Sequence, residues 1–381
     1  MEKMRDNSYE YQEGFFLNKG RERRKLFKSF PFIPLALEAI RVSLGEKVLI
    51  INSSGGILGK ALAEAYPKTS FFLYYDSLET ENAVRATINR EDQPSNIDIF
   101  PLDKQYKVDV LVLETGGFIS PLTFRYLLRR YLEFLREAGE VYVVTHKNWG
   151  LTRKIKILEK ILGEVEIAAR GRGGYRIIKG KKRGEKEIEK ISEETPLVKF
   201  SLFGKDFLME TRPGLFSWEN LDEGTKILLA AAREEIEKAR LILDVGCGWG
   251  VIGIVAAVLN SNAQVAMVDV SKIAIEAATA NIRRFDLASR VKVFGGIENL
   301  SECEFDLVLS NPPLHCPREE VLGLFGSVKR RMVKKGKLFL VVQEGHKEIY
   351  EETLKRLFNA VTSSDRIITP KGNYFILRAK K

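Results

Sequence analysis

Cysteine and histidine are scarce, with three of each in 381 residues. Cys247, Cys303 and Cys316 form no CxxC pair, which argues against a disulfide framework and against a structural zinc site. His315 and Cys316 adjoin, yet no second His or Cys stands at ligand spacing, so no metal is expected. Cys247 and Cys316 then read as small buried or lining residues, and His146 and His346 as incidental. Long apolar runs are missing too. The longest, Gly250 to Leu259, is about half of the ~20 residues a bilayer span needs. Met1–Asp6 opens no hydrophobic export signal. A soluble, cytoplasmic chain without a membrane contact is expected, its oligomeric state left open.

What is present is an ordinary globular composition, 45% hydrophobic and 29% charged, long enough for two or three domains. The net charge of +10 is uneven: residues 1–190 carry +8 and residues 191–381 carry +2. Lys19 to Lys28 holds six basic residues and one acid, and Arg170 to Arg183 holds seven basic residues and no acid. Such clusters favour a polyanion, because phosphate contacts release counterions. A plain solvated surface accounts for them equally well. Charge alone does not decide.

The hydrophobic pattern repeats itself. Val48–Ile51 followed by Asn52-Ser53-Ser54-Gly55-Gly56 matches Leu241–Val245 followed by glycines. Phe71–Tyr75 ending at Asp76 matches Val265–Val268 ending at Asp269. Val108–Leu113, Gly139–Val144 and Gly174–Ile178 match Phe305–Leu309, Gly336–Val341 and Asn373–Leu377. These pairs recur at offsets of 193–199 residues. Each half therefore reads as an α/β unit whose strands are buried on both faces, as a mostly parallel sheet requires. The predicted domains are 1–182 and 183–381. Their join is expected in Gly180–Glu187, which is too charged for a core. Leu197 to Thr211 alternates around Gly204-Lys205 and predicts a hairpin leading into the second domain. Residues 1 to about 30 form a polar, basic lead-in.

Asp244-Val245-Gly246-Cys247-Gly248-Trp249-Gly250 lies between a predicted strand and a helix. Glycines there let a ligand approach the backbone, and the helix start offers free N–H groups. Gly248-x-Gly250-x-x-Gly253 formally matches a dinucleotide fingerprint, but the acid two residues before Gly246 speaks against it. Asp269 follows 25 residues after Asp244, at the end of the next strand. A carboxylate there accepts ribose hydroxyls, whether of a nicotinamide cofactor or of S-adenosylmethionine.

The next strand but one ends in Ser310-Asn311-Pro312-Pro313-Leu314-His315. With that box the sequence resembles class I methyltransferases that modify amino or amide nitrogens. Within them it is most similar to the tandem small-subunit ribosomal RNA guanine-N2 methyltransferases. Three features carry the resemblance: the Asp244–Gly250 turn, the Asn311–His315 box, and Arg212-Pro213-Gly214-Leu215-Phe216-Ser217 followed by Leu221-Asp222-x-Gly224. The resemblance implies two tandem Rossmann-like α/β domains, the first degenerate, and S-adenosylmethionine as cofactor. It implies cofactor contacts from Asp244, Gly246, Gly248, Trp249, Gly250, Asp269, Val270, Ile297, Glu298 and Asn311. Catalytic roles fall to Asn311, Pro312, Pro313 and His315. Phe216, Trp218, Leu314 and His315 would face the base, and Arg170, Arg172 and Arg176 the RNA.

Two departures stand out. Leu314 replaces an aromatic residue, so stacking, worth ~1–3 kcal/mol per base, passes to His315, Trp218 or Phe216. Ile297 stands where a polar residue often meets adenine, which leaves Glu298 as the candidate acceptor. The first half has Glu114-Thr115-Gly116-Gly117 instead of the box and no acid matching Asp244, although Asp76 survives. It is expected to grip ribosomal RNA or a small ribosomal subunit rather than catalyse. Adenine-N6 modification, glutamine methylation of a release factor and a non-catalytic RNA-binding scaffold are the alternatives. Leu314, the tandem copy and the basic clusters weigh against the glutamine reading, and the intact second half weighs against the scaffold.

Overall fold

The computed structural model describes residues 28–51, 54–88, 94–101, 105–116, 119–184, 196–300, 304–312 and 318–381. Most of the lead-in, Cys303, Pro313, Leu314, His315 and Cys316 lie outside the described residues. Two compact units divide the chain, Met1–Glu193 and Glu194–Lys381. Among the described residues no helix is long and apolar enough to cross a membrane.

In the first unit the strands are β1 (Lys47–Ile51), β2 (Ser70–Tyr74), β3 (Ile97–Ile99), β4 (Val108–Glu114), β5 (Leu135–His146), β6 (Val165–Arg170) and β7 (Tyr175–Lys181). They form one sheet in the order β3-β2-β1-β4-β5-β7-β6, with only β7 antiparallel to its neighbours. The second unit opens with a hairpin, β8 (Leu197–Leu202) and β9 (Lys205–Glu210). Its turn residues Phe203 and Gly204 both have positive φ, 53° and 75°, the geometry that matches the twist of paired strands. The strands β10 (Leu241–Val245), β11 (Gln264–Val268), β12 (Val291–Phe294), β13 (Phe305–Ser310), β14 (Met332–Gln343), β15 (Ala360–Ser363), β16 (Ile367–Thr369) and β17 (Gly372–Lys380) follow. The main path β12-β11-β10-β13-β14-β17-β15 repeats the first sheet's order, and β16 adds to β17.

Alternation along each strand explains the burial. Val48 and Ile50 enter one core with Val110 and Val112, while Leu49 and Ile51 enter the opposite core with Leu111 and Leu113. The second sheet does the same with Ile242 and Leu307 on one face, Leu243 and Val308 on the other. Each fully buried Val, Leu or Ile contributes about 1.5–3 kcal/mol, so a one-residue slip, which swaps faces, is strongly disfavoured.

The duplication reaches the backbone. β4 pairs with β5 across a bulge between Val108 and Val110, and β13 pairs with β14 across one between Phe305 and Leu307. Ala138 and Lys335, each just before a glycine, share a positive φ of 56° and 73°. The predicted join needs one correction. Gly180 and Lys181 belong to β7, and Lys182 is buried. The Lys182 ammonium donates to the Leu135 carbonyl at 2.8 Å, which is how a charged residue is accommodated there.

Candidate functional site

The C-terminal ends of β10, β11 and β13 assemble the site. After β10, Gly246 and Gly248 have φ of 72° and 54°, and a Cβ on either would meet nothing within 4 Å. Open space above two glycines is where a ligand can lie against backbone. The helix Val251–Leu259 starts at Gly250, and the buried Asp244 carboxylate accepts the Gly253 N–H at 2.9 Å through Oδ2. A negative charge at a helix N-terminus is favourable. Gly253 itself is required for packing, since a Cβ there would sit 2.6 Å from Met267 Cγ. Asp244 Oδ1 is buried and has no hydrogen-bond partner among the described residues.

Burial is the main reason the Asp244 carboxyl is pushed up to about 7; the Gly253 N–H pulls it down and neighbouring Asp269 pushes it further up. The folded protein therefore holds that proton up to about pH 7, whereas the unfolded chain releases it near 3.8. The resulting stabilisation is present below about pH 4 and is lost as pH rises to about 7. Asp244→Asn should flatten this part of the stability–pH profile, read by thermal melts from pH 4 to 7. An unchanged slope would place the titration elsewhere.

Asp269 follows β11 and is half-buried. Its carboxylate accepts the Gly248 N–H at 2.8 Å and the Ser271 N–H at 2.9 Å, so it fixes the glycine turn and the next helix start together. Val270 is exposed beside it. Beyond β12, Ile297 packs against the core while Glu298 stays exposed, its carboxylate folded over Gly296. Of those two, only Glu298 offers an acceptor to solvent.

Asn311 follows β13. Its Nδ2 donates to Asp222 Oδ2 at 2.8 Å and to Thr225 Oγ1 at 3.0 Å. Asp222 also caps the helix Glu223–Lys238 by accepting the Thr225 N–H at 2.8 Å. An ionised carboxylate only accepts, so the amide nitrogen must face Asp222 and the Asn311 carbonyl must point away from it. Pro312, next in the chain, is buried. Asp222 and Thr225 were not among the expected site residues. Leu221-Asp222-x-Gly224 was the available signal.

Trp249 requires a correction as to its side chain. Its indole is 4% exposed and packs in the core, where Nε1 donates to the Phe216 carbonyl at 3.3 Å. It enters the turn through backbone alone. Phe216, by contrast, is 63% exposed, and Trp218 is half-buried. Asn281, fully buried, donates through Nδ2 to the Glu210 carbonyl at 2.7 Å and to the Trp249 carbonyl at 2.9 Å. It also accepts the Glu210 N–H at 2.7 Å, tying β9 to the glycine turn. Sequence reading missed it, although Ala277, Ala278, Asn281 and Ile282 share one buried helix face.

Cys247 is buried, and desolvation raises its thiol well above the ordinary range, with Asp269 and Asp244 adding to the effect. It is a neutral packing residue. His146 is not incidental: its Nε2 lies 2.5 Å from the Gly173 carbonyl and its Nδ1 accepts the Asn148 N–H. Arg170 and Arg176 face each other across β6 and β7, with Arg172 in the intervening loop. No carboxylate among the described residues pairs with these three arginines.

In the first unit Ile50 occupies the fourth position of β1, where β10 has Asp244, and Glu114 occupies the register position of Asn311. The buried carboxylate that accepts the Gly253 N–H and the amide held by Asp222 and Thr225 are both replaced. In the second unit they remain together. The open glycine turn, the partnerless Asp244 oxygen and the acid after β11 fit a nucleoside cofactor that carries a cationic amino-acid tail.

Residues 206–378 match the family described as Methyltransferase small domain. The Ribosomal RNA large subunit methyltransferase G of Vibrio atlanticus is 26% identical over 84% of this chain and 83% of its own. The Ribosomal RNA small subunit methyltransferase C of Haemophilus influenzae is 39% identical over 29% of this chain and 33% of its own. A solved T. thermophilus 16S rRNA N2 methyltransferase, in complex with AdoMet and guanosine, shares the fold with a TM-score of 0.72. It is 21% identical and covers 92% of each chain. The fold and the donor set thus define a class I S-adenosylmethionine-dependent methyltransferase. Within that class, the chain is similar to the ribosomal RNA methyltransferases C and G.

Proposed function

We propose that this protein methylates the exocyclic N2 of a guanine in small-subunit ribosomal RNA. The observation that carries the proposal is the locked Asn311 amide, whose carbonyl is the end left to receive an amine. S-adenosylmethionine, when bound, supplies an electrophilic methyl carbon on its sulfonium. Gly246, Gly248, Asp244, Asp269 and Glu298 would hold it.

The chain's own contribution is orientation. An aryl amine is a poor nucleophile because its lone pair is delocalised into the ring. Accepting its two N–H bonds on the Asn311 Oδ1 and the Pro312 carbonyl turns the lone pair out of that plane. Positioning of this kind can lower a barrier by up to ~7–11 kcal/mol. No general base is needed, since the amine proton becomes acidic only after transfer and leaves to solvent. The base must leave any duplex to reach the pocket, which favours a loop or an immature particle. Exposed Phe216 offers an apolar face to the base, the role also assigned to Leu314 and His315. The first unit, through Arg170, Arg172 and Arg176, would grip phosphates.

The small-subunit assignment is supported by the Arg212–Ser217 segment and its resemblance to the guanine-N2 enzymes. A large-subunit substrate is the second reading, favoured by the V. atlanticus relative, whose alignment spans most of both chains. Incubating the protein with labelled methyl donor and separated small and large ribosomal particles tests both. Label recovered as N2-methylguanosine from small-subunit RNA is expected. Label in large-subunit RNA would establish the second reading, and label on adenine or protein would overturn the guanine assignment.

A further inference from the structure

The first unit contains a cavity of about 220 Å³ at the C-terminal ends of β4 and β5 and the N-terminal end of β7. Phe30, Phe32, Trp149 and Tyr175 line it, with Glu114 and Thr115 among its polar residues. The aromatic rings are mutually oriented. Trp149 and Tyr175 stand at 89° with centroids 5.9 Å apart, and Phe32 lies 5.6 Å from Tyr175. His146 packs against both Trp149 and Tyr175 and is itself anchored to Gly173. Two ring walls at a right angle offer a planar ligand one face to stack on and one edge to meet. The cavity is smaller than the ~300–1,000 Å³ typical of drug-sized ligands, which suits one planar ring system.

Its polar residues are fixed from below. The buried Lys154 ammonium donates to Thr115 Oγ1 at 3.1 Å and Thr145 Oγ1 at 2.9 Å, and the Thr115 N–H donates to the Val144 carbonyl. Glu114 is buried and sits where the second unit has Asn311. Both positions bring an oxygen acceptor to the same point of the same fold, a carboxylate in one unit and an amide carbonyl in the other. Arg176 follows Tyr175 in β7 with Arg170 as its cross-strand partner, and Arg172 lies in the connecting turn, so the three share the strand end at which Tyr175 enters the cavity. Aromatic walls beside a carboxylate would also suit a cation, but the three guanidiniums disfavour one and favour a phosphate.

We infer that this cavity holds one unstacked guanine base of the RNA, stacked on the Trp149–Tyr175 walls with its N–H edge on Glu114 and its phosphate toward the arginines. The inference rests on the reading of the first unit as the RNA-gripping unit and gives that unit a base pocket. The duplicated unit would thus have kept the base position of its twin while losing the glycine-turn acid.

Affinity of the full chain for a short guanine-containing single-stranded RNA, measured against salt concentration, tests it. Trp149→Ala should weaken binding by roughly 5- to 150-fold, the span of truncating a stacked aromatic, without changing the salt slope. Trp149→Phe should restore most of the affinity, and circular dichroism establishes that each variant folds. Replacing guanine by inosine, which lacks the exocyclic amine, should cost affinity in the native chain and cost less in Glu114→Gln. Wild-type affinity in a folded Trp149→Ala, or an inosine penalty unchanged by Glu114→Gln, would overturn the pocket. Replacing Arg170, Arg172 and Arg176 separates the two claims. A lowered slope with a silent Trp149→Ala leaves the grip and removes the pocket, whereas no change in either removes both.

Discussion

Asn311→Ala is expected to lower kcat by about 10²–10³-fold, the typical cost of deleting one preorganised polar group from an active site, while cofactor affinity changes little. The asymmetry follows from geometry. The Asn311 amide is held through Nδ2 by Asp222 and Thr225, and the part it offers to a substrate is the opposite oxygen. Losing that oxygen removes an interaction made with the reacting amine, which lowers kcat and kcat/KM together. Thr225→Val should give a smaller loss of the same kind, because one of the two acceptors fixing the amide is gone. Asp222→Ala should combine a rate loss with about 0.5–2 kcal/mol of lost stability, since it also removes a helix cap. Steady-state kinetics with cofactor titration separates these effects. A native rate in Asn311→Ala would remove the amide from the chemistry.

The second large effect concerns RNA. Replacing Arg170, Arg172 and Arg176 together by alanine should flatten the dependence of log affinity on log salt by about 2, taking ~0.7 per phosphate contact on single strands. Between low and moderate salt that corresponds to an order-of-magnitude change in how steeply binding falls. The structural basis is local: Arg170 and Arg176 are cross-strand neighbours, an arrangement of like charges that costs stability unless a polyanion meets it. Fluorescence anisotropy of labelled RNA over a salt series measures the slope. An unchanged slope would show that the phosphates are gripped elsewhere on the chain.

Much of this was legible in the sequence because it is written in contiguous patterns. Alternation with period two and apolar runs bounded by glycine located the paired strands, and a near-constant offset exposed the duplication. Alternation around Gly204-Lys205 announced the hairpin, although its turn residues are Phe203 and Gly204, and the Asp244–Gly250 turn announced a ligand loop. Those features depend on neighbouring residues and on backbone sterics, so a linear reading reaches them. Charge in Gly180–Glu187 did not keep Lys182 out of the interior, because a lysine has a long apolar stem and its ammonium donates to the Leu135 carbonyl. A run of charge was therefore not sufficient to mark a solvated linker.

The sequence by itself determined the two sheets, their repetition and the identity of the amide at Asn311. Only the tertiary structure decided which way that amide faces, because Asp222 and Thr225 lie 89 and 86 residues away along the chain. It likewise turned the Trp249 indole into the core, joined β9 to the glycine turn through Asn281, and gathered four aromatic residues around Glu114. The physical reason is common to all four. Side-chain direction and partner choice are set by packing between elements distant in sequence, and local preference carries no record of it.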